Sequence, residues 1–321
     1  MKKIALVLSG GGAKGAFQYG AVKYIEEVVK KKFPGFDYSV IAGVSVGSLN
    51  GGMLAMKKYD AMKTLWNTIS DNKVYSGNTT FQIVLRIITG HKSALSNKPL
   101  TKVLAEHFHL KDVSPDYDYR IGVVTLPSGA YKSVSPSHFS NDADFQKAVL
   151  ASTSIPVIWE PVPCFTFSDG LEMQSVVDGG LRNVSPLGDV LDDNPDLVVI
   201  INCSSPTLSY DQKAGESLLK IAKRSLSDIT INQIFNQDVE QFLKVNNLVL
   251  QAKKQGAKLR KSDGTKYKHF KAIIIQPSVD MGDTLDFSQP TVQMRISAGF
   301  DAAKHAFSQF DPEIKHSDET I

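Results

Sequence analysis

Apolar residues along the chain fall into short continuous runs, separated by longer stretches where they recur every three or four positions. The runs predict strands at Lys3–Ser9, Tyr38–Ala42, Tyr119–Leu126, Tyr131–Val134, Gln174–Val177, Leu197–Cys203 and Phe270–Gln276. Ile4–Leu8, Leu197–Ile201 and Ala272–Ile275 are apolar at every position, as strands covered on both faces should be. The helical period predicts helices over Ala16–Lys31, Ser45–Lys57, Ala61–Ile69, Leu100–His107, Ala143–Leu150, Glu216–Ile229, Asn232–Gln251 and Thr291–Phe307. Asn141 and Asp142 are cap candidates for the helix at Ala143. Strand then helix, repeated, predicts an α/β fold: a doubly wound, mostly parallel sheet with helices on both faces. No internal repeat and no Pro/Gly linker divides the pattern. One domain is therefore expected over residues 1–310, followed by a polar tail over 311–321.

Composition narrows the class. With 42% hydrophobic and 21% charged residues the chain can bury a sizeable core, which excludes disorder. Two cysteines, Cys164 and Cys203, make neither a disulfide framework nor a zinc site and point to a reducing, cytoplasmic setting. The apolar run Ile4–Leu8 after Met1-Lys2-Lys3 is shorter than the ~7–15 residues of a signal h-region, and it ends in glycines. No run reaches the ~18 apolar residues of a membrane span. Neither a cleavable signal peptide nor a transmembrane segment is expected. A net charge of +3 makes no case for a nucleic-acid partner.

The charge is unevenly spread. Residues 252–271 hold eight Lys or Arg against one acid, Asp263. Such a patch suits anionic lipid. If the strand that follows runs parallel to the others, however, the patch lies opposite the strand ends where chemistry gathers, and a solvated loop is the better reading. The apolar segment Phe81–Ile88, set between polar stretches, reads equally as a lid or as a core helix.

The chemistry begins with Ser45. Gly43-Val44-Ser45-Val46-Gly47 is a G-x-S-x-G placed where a strand ends and a helix begins. Glycines two before and two after let neighbouring backbone pass close, so the serine can sit at a strained corner as an exposed nucleophile. Gly10-Gly11-Gly12-Ala13-Lys14-Gly15 also follows a strand and opens a helix. It satisfies G-x-G-x-x-G, but the second strand carries no acid at its carboxyl end to hold a ribose; Asp37 precedes that strand. A P-loop fails because Lys14 is followed by Gly15. Successive glycine N–H groups at a helix start would instead form an oxyanion hole, with Gly10, Gly11 and Gly12 as donors. No metal or other cofactor is expected.

Asp178 ends the strand Gln174–Val177 and precedes Gly179-Gly180. At the same sheet edge it could take the proton of Ser45, although an aspartate of pKa ~3.9 is a poor base unless desolvation raises it. Its alternative is an Asx-turn. His269 lies at a strand start, His305 within a helix and His316 in the tail, so a Ser–Asp dyad is preferred to a triad. His107 and His109 read as surface residues.

Together these elements resemble the patatin-like phospholipase family. Gly10–Gly15 is similar to its glycine-rich oxyanion motif, Gly43–Gly47 to its nucleophile elbow, and Asp178-Gly179-Gly180 to its catalytic aspartate motif. A fourth block, Ala151-Ser152-Thr153-Ser154-Ile155-Pro156 with Trp159 and Pro161, is similar to A-S-x-A-x-P-x-x-F-x-P, with Ser154 for the typical Ala and Trp159 for the typical Phe. The resemblance spans residues 4 to about 190. It implies hydrolysis of lipid esters through a Ser–Asp dyad and an acyl-enzyme, with transient contact to a membrane or micelle. Lys14 and Trp159 are the expected substrate contacts, Lys14 with bracing of the loop as its alternative. An acyltransferase using the same acyl-enzyme, or a non-catalytic lipid- or nucleotide-binding module, are the competing functions.

Overall fold

A computed structural model describes residues 3–76, 93, 95–217, 220–221, 224–308 and 310. The segment Phe81–Ile88 and the tail 311–321, with His316, lie outside the described residues, as does part of the predicted helix Glu216–Ile229.

Eight described strands form one sheet: β1 (Ile4–Leu8), β2 (Tyr38–Val44), β3 (Asp118–Thr125), β4 (Tyr131–Val134), β5 (Val162–Thr166), β6 (Glu172–Asp178), β7 (Leu197–Ile201) and β8 (Lys271–Ile275). Their order is β5-β6-β3-β2-β1-β7-β8, with β4 also paired to β3. The run β3-β2-β1-β7-β8 is parallel, while β4, β5 and β6 pair antiparallel. The sheet is thus mostly parallel and covered on both faces, as the sequence pattern implies.

The main helices are α1 (Gly15–Tyr24), α2 (Val46–Ala55), α3 (Tyr59–Thr68), α4 (Lys98–His107), α5 (Asp142–Ser152), α6 (Ile231–Lys254) and α7 (Gln289–Ala306). Asn141 caps α5 by accepting from Asp144 N. The central strands explain the continuous apolar runs. Ile4, Leu6 and Leu8 of β1 face one core with α1 and α7, whereas Ala5 and Val7 face a second core with Phe235, Val239 and Phe242 of α6. Full burial of such side chains contributes roughly 1.5–3 kcal/mol each. β8 departs from expectation: it is the edge strand, and of its residues only Ile275 is fully buried.

Two features place the chemistry. Parallel strands bring the carboxyl ends of β1 and β2 side by side, with Leu8 opposite Gly43. β6 runs against β3 and stops with Asp178 opposite Val123, one residue beyond the Gly122 that faces Val44. An antiparallel strand therefore delivers its last residue to the same edge, because it begins beyond that edge and stops level with it. The basic segment 252–271 feeds β8, which is parallel, so the patch and His269 belong to the opposite edge.

Candidate active site

Ser45 occupies the corner between β2 and α2 with φ 57° and ψ −130°, a conformation that costs a non-glycine residue on the order of 1–3 kcal/mol. The flanking glycines are needed for backbone clearance. A methyl on Gly43 would lie 2.2 Å from Gly47 O, and one on Gly47 would lie 2.2 Å from Leu8 O. The corner is held by named bonds. Ser45 N–H donates to Ser152 Oγ (3.0 Å), and the Ser152 hydroxyl donates to Gly122 O (2.7 Å). The Ser48 hydroxyl donates to Ser45 O (2.6 Å). Ser152 thus ties the elbow to β3 from the end of α5.

Asp178 is 2% exposed. Its N–H donates to Ser154 O (3.1 Å), so two serines of the Ala151–Pro156 block brace Ser45 and Asp178. Oδ1 accepts from Gly180 N (2.8 Å), the Asx-turn weighed above as an alternative, here coexisting with proximity to Ser45. Oδ2 has no hydrogen-bond partner among the described residues. Burial pushes the carboxyl up to about 7, opposed by the Gly180 N–H and by the Ser45 hydroxyl facing it. The hydroxyl is near enough to lower the pKa, yet the pair is not within formal hydrogen-bonding geometry. A free, desolvated carboxylate oxygen beside a strained serine is a competent proton acceptor near neutral pH.

The glycine loop packs against the elbow: a methyl on Gly10 would sit 3.3 Å from Ser45 Cβ. Its N–H groups are not equivalent. Gly10 N donates to Val184 O (3.2 Å) and Ala13 N to Thr284 O (2.8 Å), while Gly11 N and Gly12 N have no acceptor among the described residues. Gly10 therefore shapes the loop, and the free donors are Gly11 and Gly12. Behind the loop, Gln18 Nε2 donates to Ser9 O (2.7 Å), Asn50 Nδ2 to Gln18 Oε1 (3.0 Å) and Trp66 Nε1 to Asn50 Oδ1 (2.9 Å). This buried chain joins β1, α1, α2 and α3, and no motif announces it.

Two predicted contacts change role. Lys14 lines the cavity, but its ammonium pairs with Asp280 (3.2 Å) and neither braces loop carbonyls nor stands free. Asp280 also accepts from Ser209 N (3.0 Å), Ser209 Oγ (2.6 Å) and Gly282 N (3.1 Å). Trp159 is buried in the main core and does not line the cavity; Ile155 from the same block does.

Gly10–Gly12, Lys14, Ser45 and Asp178 surround a cavity of about 10 Å³, roofed by Leu208, Asp228, Ile231 and Thr284. That is about the space of one water. Among the described residues no group of three or more His, Cys, Asp or Glu converges in a metal-holding arrangement. No described helix is long and apolar enough to cross a membrane.

The family model described as patatin-like phospholipase matches residues 6–191, a span that holds Gly10–Gly12, Ser45 and Asp178. Comparison with curated proteins finds no match. Among solved structures, the chain is similar to VipD from Legionella pneumophila at 15% identity, covering 96% of this chain and 67% of that one, with a TM-score of 0.46.

Proposed function

The chain belongs to the patatin-like phospholipase family, and from that membership we propose a lipid acyl hydrolase that works through a Ser45–Asp178 dyad and an acyl-enzyme. The observation that carries the reading is the strained Ser45 corner facing a buried Asp178 whose Oδ2 is unpartnered. Asp178 Oδ2 takes the hydroxyl proton as Ser45 Oγ attacks the ester carbonyl carbon. The carbonyl oxygen becomes an oxyanion, and the N–H groups of Gly11 and Gly12 donate to it. Collapse of the tetrahedral species breaks the bond to the alcohol, which leaves with the proton from Asp178. Water then attacks the acyl-serine after giving a proton to the same carboxylate. Release of the fatty acid returns that proton to Ser45 Oγ.

The test is turnover of a phospholipid panel by wild type and Ser45→Ala. Ser45→Ala keeps the backbone bonds to Ser152 and Ser48 and loses only the nucleophile, so it is expected to fold and to release no fatty acid. Normal turnover by a folded Ser45→Ala protein contradicts the reading.

A further inference from the structure

Several of the exposed large apolar side chains of the described residues lie within two positions of residues that line or brace the catalytic cavity. Tyr210, 91% exposed, follows Ser209, and Val279, 62% exposed, precedes Asp280. Ser209 and Asp280 are bonded to each other, and Asp280 holds the cavity residue Lys14. Tyr210 and Val279 therefore flank one polar clasp at the cavity wall. Ile229, 52% exposed, adjoins the roof residue Asp228. Val157, 48% exposed, is two residues from Ile155, which lines the cavity, and it holds φ at 71°. A β-branched residue in that region is under strain, and here the strain leaves an isopropyl group in water.

The same edge carries more. Leu126, partly exposed, follows the carboxyl end of β3. Leu171 precedes β6, and because Val176 pairs with Thr125, the β5–β6 turn projects beyond the end of β3. Two described cations of this region are paired, Lys14 with Asp280 and Arg224 with Asp228 (3.3 Å), while Lys213 and Arg182 have no carboxylate partner among the described residues. The concentrated positive charge lies in residues 252–271, at the opposite edge of the sheet.

We propose that the rim formed by Val157, Tyr210, Ile229 and Val279 is a docking surface for a phospholipid bilayer, engaged by insertion of apolar side chains and not by attraction of anionic headgroups. The proposal rests on the lipid acyl hydrolase reading for its occupant. A cavity of about 10 Å³ cannot hold an acyl chain. The exposed apolar side chains adjoin residues that line or brace the cavity, and they suit the interior of a bilayer more than its charge. The basic segment at the far edge cannot touch the bilayer at the same time as the rim.

The experiment measures sedimentation of the protein with phosphatidylcholine vesicles at low and high salt. It uses the Ser45→Ala protein, so that binding is read without turnover. Binding is expected at both salt concentrations. Tyr210→Ser with Val279→Ser is expected to weaken it about tenfold or more, since each change removes an inserted apolar side chain. Lys266→Gln with Lys268→Gln is expected to leave it unchanged. In an otherwise wild-type background, the rim pair should retain hydrolysis of a short-chain water-soluble ester. That assay separates the two claims: its absence in the wild type would count against the hydrolase, whereas vesicle binding speaks only to the rim. As a second readout, Tyr210→Trp should show a blue-shifted emission on vesicle addition. Unchanged binding by the rim pair, binding abolished by salt or by the lysine pair, no binding at all, or no shift at Trp in place of Tyr210 would each overturn the proposal.

Discussion

In the proposed mechanism Asp178 is a base, set in a place that penalises its charge. Moving its pKa from 3.8 to about 7 corresponds to a cost of about 4 kcal/mol for the ionised form in the folded protein. The sign follows from linkage. The folded carboxyl holds its proton between about pH 4 and 7 while the unfolded one has lost it, so stability falls as pH rises through that window. Asp178→Asn removes the charge and should flatten the decline. Its melting temperature is expected to gain on wild type between pH 5 and pH 8, a difference read by thermal melting at the two values. Activity moves the other way. kcat/KM should rise through an apparent pKa near 7 as the carboxylate forms, and Asp178→Asn should lower kcat by ~10²–10⁴-fold. An Asp178→Asn protein with wild-type kcat would remove the base from the scheme.

At the scale of elements, the glycine loop is fixed more tightly than its sequence suggests. A methyl on Gly11 would lie 2.4 Å from Cys203 Cβ, and one on Gly12 would lie 2.5 Å from Thr284 O at φ +54°. Gly12→Ala is therefore expected to lower the melting temperature as well as kcat, because neither the backbone angle nor the Thr284 carbonyl accommodates the side chain. A Gly12→Ala protein that melts like wild type would show that the loop has more room than this. The clasp between Lys14 and Asp280 gives a second expectation. Its carboxyl is held down to about 2 by the Ser209 donors and the Lys14 ammonium, against burial. It stabilises the fold above about pH 4, and that contribution is lost as pH falls towards 2. Lys14→Met should destabilise the protein at pH 7, by less than the ~3–5 kcal/mol of an uncompensated buried charge, because the Ser209 and Gly282 donors still serve Asp280. The deficit should shrink at pH 3, and denaturant titration at both values measures it.

Much of this layer is legible in the chain, and the exceptions have causes. The continuous runs of β1 and β7 read directly as strands because both faces are buried. β5 escapes notice because Pro161 and Pro163 interrupt Val162–Thr166, and prolines are tolerated there only because β5 is an edge strand. The location of Asp178 is right for a reason the pattern does not carry: no sequence period says that β6 is antiparallel. Ser45, Asp178 and the loop are visible because each reshapes its own backbone and needs glycine beside it. Asp280, Leu208, Asp228 and Thr284 are invisible because they meet through long-range folding and mark no local turn chemistry. The demotion of Gly10 and Trp159 has the same origin, since Val184 O and the main core are supplied from elsewhere in the chain.

Over the whole molecule, the sheet gathers five segments at one edge. β1, β2 and β6 bring the glycine loop, Ser45 and Asp178. The chain after β7 and the chain after β8 bring the roof and the clasp. The family match ends at residue 191, so the roof is built by the part of the chain beyond it. The glycine loop, Ser45 and Asp178 thus surround a space for about one water. The central claim is that Ser45 is a nucleophile activated by Asp178. It is tested most directly by reacting the folded protein with a fluorophosphonate and locating the adduct by peptide mass spectrometry. One adduct is expected, on Ser45, absent in Ser45→Ala and formed far more slowly in Asp178→Asn. An unlabelled wild-type protein, an adduct on another residue, or equal labelling rates in wild type and Asp178→Asn would contradict it.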